Sequence, residues 1–244
     1  MRDEKSWSRR ALLATGAVLI SATSTGCSSM FVNPLQNNPS SEGRNPATPL
    51  QAWVRITSGN SRWVRGGSRP IGGRFNRRSS LKTKRPYATV LSCIESTTPP
   101  ELLCDAELGD LSVIRSAGGV LTPIISDSIA LVSTAPLILI LGHQRCAIVE
   151  AAYHSLSTGE TPPKNLRSII QSLTPAYERA VKSGGAEPAE TMMRHQVALT
   201  VRTLEVDPRL SPFVQSGALA VVGGYFSLDT GKIASLADPS ASYL

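Results

Sequence analysis

Two cysteines and a histidine have the types and positions that could hold a metal ion. Cys93 ends one apolar run of the chain, and His143 and Cys146 follow a second run as an H-x-x-C pair. Thiolate and imidazole groups suit zinc, and a set of three protein ligands leaves a fourth coordination position open. The spacing alone also fits a buried cysteine near a packed histidine, a Cys–His nucleophilic pair, or a disulfide between the two cysteines.

Hydrophobic patterning predicts the elements that must position these residues. Apolar runs of strand length occupy residues 87–93, 111–115, 137–141 and 218–225. Helical segments are predicted at residues 98–107, 127–134, 146–154, 166–182, 190–206 and 208–216. Strands that alternate with helices predict an α/β fold with a mainly parallel central β-sheet flanked by helices. Because ligands collect at the carboxyl ends of parallel strands, Cys93 can meet His143 and Cys146 if their strands are neighbours.

The composition indicates a folded protein whose positive charge is concentrated in one stretch. Of 244 residues, 41% are hydrophobic and 18% are charged, so the chain can bury a core. The formal net charge is +7, and residues 44–94 contain eleven Lys and Arg but no Asp or Glu. Aromatic residues are few there and show no repeated stacking pattern, so we expect no nucleic-acid partner. Four cysteines are too few for a disulfide scaffold.

The first 27 residues have the pattern of an export signal. A polar stretch with four basic residues precedes the uncharged, mostly apolar residues 11–22. This run is shorter than the ~20 apolar residues that a membrane span needs. The sequence SRRALL at residues 8–13 resembles the core of a twin-arginine signal. We therefore expect an exported protein, located at the cell surface or in a periplasm-like compartment.

Cys27 lies in the sequence STGC, which resembles a bacterial lipobox. In that interpretation Cys27 carries a lipid that anchors the protein to the membrane, and simple cleavage nearby is the alternative. Residues 28–49 are rich in Ser, Asn and Pro, which predicts a flexible linker. Residues 50–244 then form the α/β domain that carries the candidate metal ligands.

Several segments of this domain resemble the β-class carbonic anhydrases. They are GNSRWVRG at 59–66, YATVLSCIESTTPPEL at 87–102, GDLSVIRSAG at 109–118, LGHQRC at 141–146 and VVGGYFSLDTG at 221–231. Their order and spacing match those of the family. The resemblance implies zinc bound by Cys93, His143 and Cys146, and a homodimer or larger assembly. It also implies the reversible hydration of carbon dioxide to bicarbonate and a proton.

The chain departs from the family pattern beside the expected metal. The family has an Asp and an Arg that pair and orient the metal-bound water, and here these positions are Glu95 and Thr97. Glu95 is therefore the catalytic candidate, although without its Arg it could instead close the site as a fourth ligand. The expected substrate pocket also differs, with changes at Lys84, Ser112 and Leu131. The alternative function is a catalytically weak or inactive zinc-binding or anion-binding module at the cell surface.

Overall fold

The computed structural model describes residues 46–68 and 85–236, which form an α/β unit around one five-stranded sheet. The strands are β1 Ala88–Cys93, β2 Leu111–Ser116, β3 Leu137–His143, β4 Ala220–Phe226 and β5 Ile233–Ser235. Their order across the sheet is β2-β1-β3-β4-β5. Strands β1 to β4 are parallel, and β5 pairs antiparallel with β4. The predicted fold class, a mainly parallel sheet with flanking helices, is confirmed.

The two central strands explain why the sequence contains uninterrupted apolar runs. Every residue of β1 and of β3 is buried. Along β3 the side chains alternate, so that Ile138 and Ile140 face one core cluster while Leu137, Leu139 and Leu141 face the other. A parallel strand covered on both faces has no solvent side, so its sequence lacks the polar alternation of a surface strand.

Helices cover both faces of the sheet. They are α1 Pro49–Val64, α2 Pro100–Leu103, α3 Pro123–Val132, α4 Ala147–Thr158, α5 Arg167–Ser183, α6 Pro188–Glu205 and α7 Ser211–Gln215. Residues of α1 and α2 pack in one core cluster, and residues of α4, α5 and α6 pack in the other. None of the helices within residues 46–68 and 85–236 is long and apolar enough to cross a membrane.

Glycines in β3 and β4 allow α6 to lie close against the sheet. A Cβ atom at Gly142 would come within 2.7 Å of the Val197 side chain, and one at Gly223 would come within 2.9 Å of the same residue. Both separations are below the van der Waals contact distance. A larger residue at either position would therefore push α6 away from the strand that ends at His143.

Several element boundaries differ from the predicted ones. Helix α2 ends at Leu103 instead of near residue 107, because Asp105 takes a left-handed conformation with φ of 46°. Helix α3 begins at Pro123 instead of residue 127, because the Thr122 hydroxyl accepts a hydrogen bond from the Ile125 amide and caps it. The same Thr-Pro start opens α1, whose first residue is Pro49. Helix α1 and strand β5 have no counterpart among the elements that the hydrophobic pattern predicts.

A buried asparagine of helix α1 bonds to two other parts of the unit. The Asn60 amide donates to the carbonyl groups of Leu103 at 3.1 Å and Gly231 at 2.9 Å, and its oxygen accepts from Ile233 N at 2.8 Å. Its neighbour Gly59 packs against the backbone of Cys104, where a Cβ would overlap the carbonyl oxygen. The Gly-Asn pair of the first motif therefore has a packing role that links α1, α2 and β5.

Candidate metal centre

The parallel sheet brings the three predicted metal ligands together. Strands β1 and β3 are hydrogen-bonded neighbours, so Cys93 and His143 end at the same edge of the sheet. Cys146 follows one turn later, immediately before α4. Their ligand atoms all lie within 4.8 Å of one another, and all three residues are buried. Within the described part of the chain this is the one cluster of His, Cys and acidic residues of that kind.

The two sulfur atoms are close but not bonded. The Cys93 and Cys146 Sγ atoms are 3.8 Å apart, whereas a disulfide requires about 2.05 Å. Both cysteines are free thiols in the structure. The disulfide interpretation would therefore require the two side chains to approach further.

The thiols influence each other's acidity. A hydrogen bond from Cys146 lowers the pKa of Cys93 below its ordinary value, against the opposing effect of burial. The same bond, together with burial, raises the pKa of Cys146 above its ordinary value. One thiolate therefore forms easily, and the second needs a nearby cation. A divalent metal supplies that charge, because a coordinated thiol is deprotonated.

His143 presents a free nitrogen to the two sulfurs. Its Nδ1 lies 3.0 Å from the Gln144 carbonyl oxygen, to which it donates in the tautomer that this contact favours. Its Nε2 is buried and has no hydrogen-bond partner among the described residues. Burial disfavours the imidazolium, but the interaction with Cys93 and the bond to Gln144 raise the pKa of His143. A buried, unpartnered ring nitrogen beside two thiols is the arrangement that a zinc ion would satisfy.

Glu95 lies beside this cluster but is held by its own neighbours. Its Oε1 atom accepts from Ser96 Oγ at 3.2 Å and from the Thr97 amide and hydroxyl at 3.4 and 3.5 Å. The Thr97 amide and then Ser96 lower the pKa of the Glu95 carboxyl. The carboxylate does not belong to the three-residue ligand cluster. Threonine thus supplies neutral donors where the family pattern has an arginine.

Arg115 fixes the end of β1 from the neighbouring strand. Its Nε donates to the Cys93 carbonyl at 2.7 Å, and its Nη2 donates to the Glu95 carbonyl. These bonds hold the backbone on both sides of Ile94. The sequence spacing alone could not assign the Arg115 side chain to the site, because 22 residues separate it from Cys93.

Of the other predicted site residues, Ser112 and Leu131 are described and do not belong to the three-residue cluster. Ser112 lies in the first half of β2, opposite Thr89, while the ligands lie at the other end of the sheet. Leu131 lies near the end of α3 with its side chain 74% exposed. Lys84 and Cys27 fall outside the described residues, as do the proposed signal segment and residues 28–45 of the linker.

Comparison with known proteins identifies the family of the chain. Residues 88–233 match the family model described as carbonic anhydrase. A carbonic anhydrase of Mycolicibacterium smegmatis is 33% identical over 77% of this chain and 93% of the relative. Carbonic anhydrase 2 of Mycobacterium tuberculosis is 29% identical over 75% of this chain and 91% of its own length.

The fold agrees as well. A tetrameric β-carbonic anhydrase from Sordaria macrospora superposes with a TM-score of 0.58 at 19% identity, covering 66% of this chain and 85% of the other. The protein therefore belongs to the β-class carbonic anhydrases, a family of zinc-dependent enzymes.

Proposed function

We propose that this protein is a zinc-dependent carbonic anhydrase that interconverts carbon dioxide with bicarbonate and a proton. The observation that carries the proposal is the buried cluster of Cys93, His143 and Cys146 with the unpartnered His143 Nε2. Membership of the family supports the substrate, since the relatives are named carbonic anhydrases.

The three side chains would hold zinc and leave its fourth position open. When bound, zinc lowers the pKa of water so that hydroxide is available near neutral pH. The chain prepares the ligands for this role, because the Gln144 carbonyl orients the imidazole and Cys146 lies at the amino end of α4. A helix amino terminus favours a thiolate, since its dipole is positive there.

Glu95 is proposed as the carboxylate that orients the attacking water. The donors from Ser96 and Thr97 keep its Oε1 hydrogen-bonded away from the ligand cluster, which supports an open site. These are single neutral bonds at 3.2 to 3.5 Å, weaker than a bidentate bond from an arginine. We therefore expect hydration to be slower than in members with the Asp–Arg pair.

Stopped-flow measurement of carbon dioxide hydration tests the proposal. The full chain is loaded with zinc, its metal content is measured, and the rate is recorded at pH 8 to 9. We expect a rate above the buffer reaction that disappears on chelation. A zinc-loaded protein with no rate above buffer contradicts the enzymatic function.

The second candidate is a zinc-binding or anion-binding module without turnover. The replacement of the family arginine by Thr97 favours it, because the donors to Glu95 within the described residues are all uncharged. Metal analysis combined with a bicarbonate titration separates the two functions. Bound zinc and saturable bicarbonate binding without hydration would identify the module.

The protein is further proposed to form a homodimer or larger assembly. Large apolar side chains are exposed at the end of β1 and near α2, with Ile94 at 57%, Leu102 at 41% and Leu108 at 45% exposure. Strand β2 is an edge strand whose residues are all half-buried. Exposed apolar groups around an edge strand fit a subunit contact, and the Sordaria relative is a tetramer. Light scattering of the full chain measures the assembly.

Export and lipid attachment are proposed from residues 1–27 alone. Mass spectrometry of protein from the producing cell should find cleavage in this segment. If Cys27 carries a lipid, the mature protein begins at Cys27 and partitions with membranes. The Cys27→Ala variant should then leave the membrane fraction.

A further inference from the structure

We propose that Asp229 and Glu190 are positioning residues that hold the turn between His143 and Cys146 in its ligating geometry. This inference rests on the proposed zinc centre. The turn consists of Gln144 and Arg145, which connect β3 to α4 and lie between two of the three ligands. Neither acidic residue belongs to the ligand cluster.

Asp229, in the loop between β4 and β5, accepts hydrogen bonds from both residues of the turn. Its Oδ2 accepts from Gln144 Nε2 at 2.7 Å, and its Oδ1 accepts from Arg145 Nη2 at 2.8 Å. In return, the Asp229 amide donates to Gln144 Oε1 at 3.2 Å. Ser227 Oγ donates to the same oxygen at 3.2 Å. Every polar atom of the Gln144 and Asp229 side chains thus has a partner in this network.

Glu190, near the start of α6, accepts a hydrogen bond from the backbone of the turn. Its Oε1 accepts from the Arg145 amide at 2.6 Å. Its Oε2 is buried and has no hydrogen-bond partner in the described structure. Burying a carboxylate oxygen without a partner is unfavourable, so packing alone would not favour an acid at this position. The contact with the turn supplies a reason for it.

The turn needs outside support because its backbone is strained. Arg145 has φ of 51°, a left-handed conformation that residues other than glycine rarely adopt. Relaxation of this residue would shift Cys146, which follows it. It would also shift the Gln144 carbonyl, which orients the imidazole of His143. The two acids therefore act on both ligands through one short piece of chain.

The Arg145–Asp229 ion pair is largely exposed, so its loss can be distinguished from a general effect on folding. The Arg145 and Asp229 side chains are 52% and 59% exposed. An exposed ion pair contributes little to folding stability. Removal of Asp229 should therefore leave the unfolding midpoint of the metal-free protein nearly unchanged, while its zinc affinity and metal geometry change.

Metal binding by the full chain provides the test. Zinc affinity is measured by competition with a chromophoric chelator, and ligand geometry by the absorption spectrum of the cobalt-substituted protein. The variants are Asp229→Ala and Glu190→Ala. We expect zinc to bind about 10- to 100-fold more weakly, the range typical when a group that orients a ligand is removed. The cobalt bands should shift or lose intensity.

Matched variants serve as controls. Asp127→Ala removes another exposed aspartate that pairs with an arginine, Arg209, but lies on α3 away from the turn. It should bind zinc like the wild type. Glu190→Gln retains an oxygen that can accept from the Arg145 amide, so it should restore most of the affinity lost in Glu190→Ala.

The outcomes are distinguishable. Wild-type affinity and an unchanged cobalt spectrum in Asp229→Ala and Glu190→Ala overturn the positioning role and leave the zinc proposal intact. If Glu190→Ala fails to fold, the same result in Asp229→Ala alone overturns it. An equal loss in Asp127→Ala also overturns it, since the effect would then be general. If the wild type itself binds no zinc, the proposed function fails and the positioning role fails with it.

Discussion

The Glu95 carboxylate after β1 and the turn after β3 both lie at the candidate metal site but are held in different ways. After β3, the turn between His143 and Cys146 is bound by Asp229 from the loop between β4 and β5 and by Glu190 from the first turn of α6. After β1, the Glu95 carboxylate is bound only through adjacent residues, Ser96 and Thr97, among the hydrogen bonds of the described chain. The ligand-bearing turn thus has tertiary support, while the carboxylate has local support.

This difference indicates which part of the site is held more firmly. A turn held by charged groups from other elements keeps its geometry when one side chain fluctuates. A carboxylate held by weak local bonds can change its direction at small cost. We therefore expect metal binding to be robust and catalytic efficiency to depend on the region around Glu95.

The largest effect should come from removing a ligand. Cys146→Ser should abolish tight zinc binding, a loss greater than the roughly 10- to 100-fold expected for groups that only orient ligands. Metal analysis after dialysis measures it. Cys104→Ala is the matched control, because Cys104 is also a buried free thiol but lies outside the cluster. Equal zinc loss in both variants would contradict the assignment.

The next effect should come from giving the carboxylate a charged partner. The double variant Glu95→Asp with Thr97→Arg restores the family pair, and a charge-assisted bidentate bond orients the carboxylate better than the present donors. We expect kcat/KM for hydration to rise about tenfold, which corresponds to roughly 1.4 kcal/mol. Stopped-flow assays at equal zinc content measure it. An unchanged or lower value would mean that local support is already sufficient.

The ion pair between Asp207 and Arg209 lies outside both strand ends and shows how much a partly exposed ion pair contributes to the free energy of unfolding. Arg209 lowers the pKa of Asp207 to about 2, and Ser126 adds a hydrogen bond. Because the folded-state pKa is depressed, this stabilisation is present above the ordinary pKa of 3.8 and is lost as the pH falls toward 2. The Arg209 side chain is 45% exposed, so screening limits the contribution to about 1 kcal/mol.

Urea unfolding of the wild type and Asp207→Asn between pH 2 and pH 6 measures this contribution. The free energies of unfolding should differ most above pH 4 and converge near pH 2. A difference that stays constant over this range would show that the charge of Asp207 is not responsible.

The smallest effect should come from the local support itself. Thr97→Ala removes the hydroxyl donor at 3.5 Å but keeps the backbone amide. We expect a change in the free energy of unfolding within about 0.5 kcal/mol, as is usual for exposed positions, and no change in zinc affinity. Thermal unfolding and chelator competition measure both. If zinc affinity falls as far in Thr97→Ala as in Asp229→Ala, the proposed difference between local support at Glu95 and tertiary support at the ligand turn is wrong.

The sequence predicted the central strands and the three clustered residues well, for a physical reason. Strands buried on both faces must be apolar throughout, which makes β1 and β3 visible as runs. The carboxyl ends of parallel strands share one edge, so Cys93 and His143 had to be near each other once β1 and β3 were neighbours. That neighbour relation itself was an assumption until the sheet order was known.

Other features left no local signal. Strand β5 is three residues long and antiparallel, too short for a pattern to identify. Helix α1 begins at Pro49 and is capped by Thr48, a valid start signal that the polar composition of the preceding residues concealed. The fourth predicted strand corresponds to β4. Asp229, in the loop that follows it, belongs to a family motif in the sequence, but nothing in the sequence indicates that it pairs with Arg145.

The sequence by itself determined the fold class, the family and the set of side chains able to bind zinc. These depend on residue type and on spacing along the chain, which are local properties. The tertiary structure decided that Glu95 is held by Ser96 and Thr97, that Arg115 fixes the end of β1, and that Asp229 and Glu190 hold the ligand turn. Most of these contacts join residues 20 to 85 positions apart. Their existence depends on how the strands and helices pack, which no short stretch of sequence encodes.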